Sequence, residues 1–185
     1  ISRQEQDEFA LHSQEKYFAA LEKQKWNDEI CGIEIFGGKE EKIFFDKDEP
    51  PRKSSLEKLA GLRPAFIKDG TVTAGNSSGI NDGAAALLLA SEDAVKKYQL
   101  QPLARIVSMA VAGVDPAIMG IGPVPASRKA LQRAGISVND LDIIELNEAF
   151  ASQSIACMKD LGLDPAKVNV NGGAISIGHP LGCSG

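Results

Sequence analysis

The sequence predicts an α/β layered domain preceded by a small irregular module. Two observations carry that reading. After Asp69-Gly70, short apolar runs alternate with helical stretches, the order expected when helices cover a sheet. Before Asp69 the chain is charged, loop-rich and divided into short elements. No internal repeat at a solenoid period points to a different architecture.

The elements follow in order. Ser2 and Glu5 fit a capping box, in which hydroxyl and carboxylate each satisfy an orphan helix N–H, so a helix runs from residue 2 to about residue 25. It is rich in Glu, Gln and Lys, with Phe9, Tyr17, Ala20 and Leu21 as its sparse apolar stripe and His12 as a surface residue. Ile33 to Phe36 and Ile43 to Phe45, separated by Gly37-Gly38-Lys39-Glu40-Glu41, predict a β-hairpin. Asp46 to Ser55, with Pro50 and Pro51, is a loop, and Ser54 or Ser55 caps a short helix ending near Gly61. Thr71 to Gly75 reads as a buried strand, Ala84 to Ala90 as an apolar helix, and a further helix follows Ser91. Leu103 to Val111 reads as a core strand and Asp115 to Pro125 as a loop. A helix over Ser127 to Ala134 stops at Gly135. Asp142 to Leu146 and Val168 to Val170 read as strands flanking a helix from Glu148 to Leu161.

Composition removes several function classes. The 185 residues suffice to bury roughly 70 % of the unfolded surface. A net charge of −5 argues against nucleic acid as a partner, where phosphate neutralisation dominates. At 43 % hydrophobic the chain is too apolar for disorder. No apolar run reaches the roughly 18 residues of a membrane span. Three scattered cysteines make neither a disulfide framework nor a metal cluster, so a reducing compartment such as the cytoplasm is expected and no metal is assigned. An organellar matrix stays open because the native N-terminus is expected to lie outside this chain. Ile1 opens inside a helix signature without Met, and Gly182-Cys183-Ser184-Gly185 stops in a glycine turn. The expectation is an internal piece of a longer protein.

Chemistry concentrates in two segments. Asn169 to Gly185 contains five glycines around His179, which sits between Gly178 and Pro180 rather than on a helix face. The run matches neither G-x-G-x-x-G nor a P-loop. His179 there is either a structural residue or a general base or oxyanion donor. The second segment is Glu145-Leu146-Asn147-Glu148-Ala149-Phe150-Ala151, at a strand-to-helix junction. Asn147 reads as an N-cap or as a site residue at a strand end. Glu148 reads as a general base or as a first-turn acid favoured by the helix dipole.

Asn147-Glu148-Ala149-Phe150-Ala151, then Asn171-Gly172-Gly173-Ala174, then Gly178-His179-Pro180-Leu181-Gly182-Cys183-Ser184-Gly185 closely resemble the thiolase family. So do Leu62-Arg63-Pro64-Ala65-Phe66, the run from Thr71 to Ala84, and Gly122-Pro123-Val124-Pro125-Ala126, all in the family's order. The resemblance implies a thiolase-like layered α/β fold, incomplete, with an irregular inserted loop domain. On that map residues 1–68 are the loop domain with coenzyme A-binding elements, 69–100 the end of the N-terminal half and 101–185 part of the C-terminal half.

The resemblance further implies an acyltransferase that joins or splits acetyl-CoA and 3-oxoacyl-CoA through a cysteine-bound acyl group. The family's nucleophilic Cys and its second, acid/base Cys are expected outside this chain, which alone should be inactive. Cys31 and Cys157 read as packed or incidental thiols, and Cys183, at a position that the family fills with Ala or Cys, reads as a packing residue. His179 is expected to activate the nucleophile and to donate to the thioester oxygen, with Asn147 fixing a water as the other donor. Ser78 and Phe66 match positions at the pantetheine, and Arg52 is placed near the nucleotide end of coenzyme A. Phe150 and Gly178 are expected to line the substrate pocket. Coenzyme A and acyl-CoA enter as substrates, and no cofactor is required. The full-length protein is expected to be a homodimer or homotetramer. The alternatives are a non-catalytic, truncated coenzyme A-binding protein and a ketoacyl synthase, the latter disfavoured by Asn147-Glu148-Ala149-Phe150.

Overall fold

Helix α1, Arg3–Glu22, starts where the capping box places it: Ser2 Oγ accepts the Glu5 N–H at 3.2 Å and the Ser2 N–H donates to Glu5 Oε2 at 2.7 Å. A computed structural model describes residues 1–37 and 41–184. The inward face of α1 is polar as much as apolar, with Gln6, Asp7, Ala10, Ser13, Tyr17 and Ala20 buried at helical spacing. Phe9 packs partly buried against the core, but Leu21 lies outside this face and is exposed. His12 is a surface residue, as expected.

Strands β1, Ile33–Phe36, and β2, Lys42–Phe45, form the expected antiparallel hairpin, with Ile33 opposite Phe45. Gly38, Lys39 and Glu40 of its turn, and Gly185 at the far end, lie outside the described residues. Helix α2, Leu56–Ala60, is capped by Ser55, whose hydroxyl accepts the Lys58 N–H at 3.3 Å.

The strand expected over Thr71 to Gly75 shrinks to a single bridge between Pro64 and Thr73. Side chains take over its hydrogen bonding: Asn76 Oδ1 accepts the Thr73 N–H at 2.8 Å, and Thr73 Oγ1 accepts the Gly75 N–H at 3.1 Å. Such local bonds compete with a ladder and fold the segment into a turn. Asn76 Nδ2 then donates to Asp7 Oδ1 at 2.9 Å, pinning the turn to α1.

Strand β3, Ile80–Asn81, is followed by the second departure. Residues 84–90 form no helix, and Leu87, Leu88 and Leu89 are 71–89 % exposed. Helix α3, Glu92–Tyr98, follows Ser91 as expected, and the Ser91 side chain caps it. Leu103 to Val111 likewise carries no strand, and Leu103, Val107, Met109 and Val111 are exposed. A strand needs a hydrogen-bonded neighbour, and no segment among the described residues pairs with Leu103 to Val111.

A 3₁₀ turn over Pro116–Ile121 replaces part of the expected loop. Helix α4, Pro123–Ala134, begins earlier than expected because Pro123 suits a first helical position, and it ends at Gly135 with φ +71°. The strands expected at Asp142 to Leu146 and Val168 to Val170 reduce to one parallel bridge, Ile144 to Val168. Asn169 explains why. Its side chain supplies the next pair of bonds itself, accepting the Leu146 N–H and donating to the Leu146 carbonyl, both at 2.8 Å. Helix α5, Ala151–Leu161, helix α6, Ala174–Ile177, and strand β4, His179–Pro180, complete the order. β4 pairs in parallel with β3, Ile80 opposite His179. Ala10, Ala151, Ile155 and Ile175 form the core where α1, α5 and α6 meet. No described helix is long and apolar enough to cross a membrane.

Candidate active site

The β3–β4 pairing sets the histidine. The His179 N–H donates both to the Gly79 carbonyl and to Asn81 Oδ1, each at 3.1 Å. Gly178 immediately before it adopts φ +98°, ψ 169°, and a Cβ there would run into the Asn81 side chain. This region of backbone space is open essentially to glycine alone. The glycine next to the histidine is therefore a geometric requirement of its strand pairing.

Asn147 comes from the segment that follows the Ile144–Val168 bridge. α5 begins at Ala151 with Phe150 in the cap position, so Asn147 is not the N-cap that the sequence suggested and Glu148 is not a first-turn residue. Free of capping, the exposed Asn147 side chain places Nδ2 3.4 Å from His179 Nε2, although 32 positions separate the two residues. With the amide nitrogen donating, Nε2 accepts and the ring proton sits on Nδ1, a buried atom with no hydrogen-bond partner among the described residues. Two polar groups thus share one edge of space where a single ligand oxygen would meet both.

Phe150 and Ser78 lie on the segments that carry Asn147 and the Gly79 carbonyl. The Ser78 N–H and Oγ both donate to the Ala149 carbonyl, at 3.1 and 3.2 Å, and Ser77 bridges to Phe150. Phe66 is largely exposed and meets Phe150 edge-on, with ring centroids 5.9 Å apart. Asn147, His179, Gly178, Phe150, Ser78 and Phe66 are thereby linked through contacts of neighbouring segments. Arg52 is not joined to them: its backbone N–H donates to Gln14 Oε1 at 2.8 Å, and its exposed side chain makes no ion pair among the described residues.

Glu148 is buried, and the sequence offered it only as a base or a dipole partner. Its Oε2 accepts Ser13 Oγ at 2.7 Å and the Ile175 N–H at 3.1 Å, and its Oε1 accepts Asn169 Nδ2 at 2.8 Å. Fully engaged in this way, it faces the interior. Desolvation, followed by the charge of Glu148, pushes the Glu145 carboxyl above the usual carboxylate range. Ser13, Asn81 and Asn169 escaped the sequence reading. A serine inside a helix has no local signature, whereas Asn81 before Asp82-Gly83 reads as turn chemistry.

The three cysteines sit in different surroundings. Cys157 is buried, donates to the Gly120 carbonyl at 3.3 Å, and is pushed up by burial. Cys31 is exposed beside the hairpin, and Cys183 lies partly buried in the turn after β4. A cavity of about 240 Å³ lies beside α1, lined by Phe9, His12, Lys16, Met158 and Pro165 among others, with Ser13 and Glu148 also in its wall. Among the described residues no group of three or more His, Cys, Asp or Glu is placed to hold a metal ion.

Comparison with known proteins gives the arrangement its context. Residues 1–93 match the model described as "Thiolase, N-terminal domain" and residues 100–185 that described as "Thiolase, C-terminal domain". The acetyl-CoA acetyltransferase of Paracoccus denitrificans is 59 % identical over 186 aligned positions, covering 100 % of this chain and 47 % of that protein. The mitochondrial 3-ketoacyl-CoA thiolase of Pongo abelii is 55 % identical, with the same coverage of each. The crystal structure of human mitochondrial 3-ketoacyl-CoA thiolase in complex with CoA superposes with a TM-score of 0.91 at 54 % identity, over 100 % of this chain and 46 % of that one. The chain spans about half the length of the curated relatives it matches.

Proposed function

The chain belongs to the thiolase family, and from that premise we propose that the whole protein is an acetyl-CoA acyltransferase of the thiolase type. The observation that carries the reading is the 3.4 Å approach of Asn147 Nδ2 to His179 Nε2 across 32 positions. In thiolysis a cysteine thiolate attacks the ketone carbon of a 3-oxoacyl-CoA. The bond between the second and third acyl carbons breaks, and its electron pair leaves on acetyl-CoA, which takes up a proton. Coenzyme A thiolate then attacks the acyl-cysteine and releases the shortened acyl-CoA. None of Cys31, Cys157 and Cys183 matches the family's nucleophile, so that thiol is assigned to the remainder of a full-length protein.

His179 takes the nucleophile's proton at Nε2 and then presents that N–H to the thioester oxygen on which enolate charge develops. Asn147 holds the water that donates beside it. One such donor lowers a barrier by about 2.7–4 kcal/mol, and a positioned acid or base contributes ~10²–10⁴-fold. Ser78 and Phe66 contact the pantetheine, Arg52 the nucleotide end of coenzyme A, and Phe150 and Gly178 wall the acyl pocket. Residues 1–68 act as the loop domain, with 69–100 and 101–185 from the two halves. The full-length protein works as a homodimer or homotetramer, and three unpaired thiols suit a reducing cytoplasm or organellar matrix.

The test is thiolysis of acetoacetyl-CoA by the full-length protein and its His179→Ala variant. A loss of turnover by orders of magnitude is expected. A change confined to KM would reduce the histidine to a binding group and overturn the assignment.

A further inference from the structure

We propose that Glu148 is a positioning residue for the Asn147–His179 pair, an inference that rests on the thiolase reading above. The reaction uses neither Glu148 nor Ser13, yet both are buried and bonded to each other across 135 positions. The Glu148 carboxylate accepts from three segments: Ser13 of α1, Asn169 after the parallel bridge, and the Ile175 N–H in α6. Its neighbour in sequence is Asn147. Helix α6, which it grips, runs directly into Gly178 and His179. One side chain is therefore bonded to the helix that delivers the histidine and stands on the segment that delivers the asparagine.

The surroundings fit that role. A Cβ on Gly173 would run into the Glu148 carboxylate, so only glycine lets α6 approach it. Ser13 Oγ also accepts the Gly173 N–H at 3.1 Å and lies 3.3 Å from Ser176 Oγ, so α1 closes the node from the far side. Asn169, the third donor, holds the Leu146 backbone at both its N–H and its carbonyl, next to Asn147. In a buried node a lost donor leaves a lone pair unpaired, and the least costly relief is movement of the segments. A displacement of about 1 Å between reacting groups lowers rate on the order of 10²-fold.

The experiment is a double-mutant cycle in the full-length protein, measuring kcat and the KM for coenzyme A in acetoacetyl-CoA thiolysis. Glu148→Gln places amide hydrogens against existing donors and is expected to lower kcat by roughly 10- to 100-fold while leaving KM unchanged. In an Asn147→Ala background the same substitution should add little, because the pair it positions is already broken. An unchanged kcat, or a loss that simply adds to that of Asn147→Ala, overturns the proposal and leaves the thiolase reading standing. If Asn147→Ala itself keeps full turnover, the reading of the pair falls and the proposal with it. Should Glu148→Gln fail to fold, Ser13→Ala, which leaves the carboxylate two donors, carries the same cycle with the same outcomes.

Discussion

Asn81 holds His179 by its backbone: the asparagine Oδ1 accepts the histidine N–H at 3.1 Å, on the side where Gly178 leaves no room for a Cβ. Gly178→Ala should therefore force either a strained backbone or a broken Asn81 contact. The strain amounts to about 1–3 kcal/mol. A lowered Tm with loss of thiolysis is the expected outcome in the full-length protein. Wild-type turnover in this variant would show that the histidine does not depend on that backbone geometry.

Glu5 ties α1 to α5. It accepts Lys159 Nζ at 2.6 Å and closes the capping box with Ser2, and these bonds, Lys159 first, lower its carboxyl from 4.5 to about 2. A depressed carboxylate stabilises the fold above its unfolded value and loses that contribution as pH falls through its folded value. The Tm gap between wild type and Glu5→Gln should be small, because the pair is exposed, and should close between about pH 4.5 and about pH 2. A gap that stays constant or widens on acidification would remove this contact from the stability of the α1–α5 junction.

Cys157 should resist alkylation. Its thiol is fully buried, donates to the Gly120 carbonyl and is pushed up by burial, so both access and thiolate fraction are low. Iodoacetamide followed by peptide mass spectrometry should label Cys157 only after denaturant is added. Labelling of Cys157 in native protein at the rate of the exposed Cys31 would contradict its packing.

The 185 residues expressed alone should show no thiolysis and should self-associate. Leu87 to Leu89 and Leu103 to Val111 leave apolar side chains uncovered, which favours aggregation. Sedimentation velocity and an acetoacetyl-CoA assay at saturating coenzyme A check both halves of the expectation. Turnover that Cys183→Ala abolishes would make Cys183 a nucleophile and overturn its reading as a packed thiol.

Local chemistry was legible in the sequence wherever one segment decides its own shape. The Ser2–Glu5 box, a cap at Ser54 or Ser55, the helix after Ser91, the β1–β2 hairpin and the Gly135 stop all form as read. Strands were not, because an apolar run such as Leu103 to Val111 indicates that burial is wanted without saying which neighbour provides it. Asn147 shows a subtler limit. Its type and position fit an N-cap equally well, and only the start of α5 at Ala151 released it for the site. Asn76 and Asn169 were opaque for the opposite reason, since each uses its side chain to replace backbone bonds that a strand pattern predicts.

The parallel register of Ile80 with His179 also has a consequence for how the molecule forms. Joining positions this distant closes a loop of roughly 100 residues, at an entropic cost of about 4 kcal/mol before any contact compensates. Pairings of such long range form late, after local helices and hairpins. During synthesis the histidine therefore stays unaimed until both segments have left the ribosome and α6 has docked. A nascent chain thus holds no aimed histidine until that long-range closure is made.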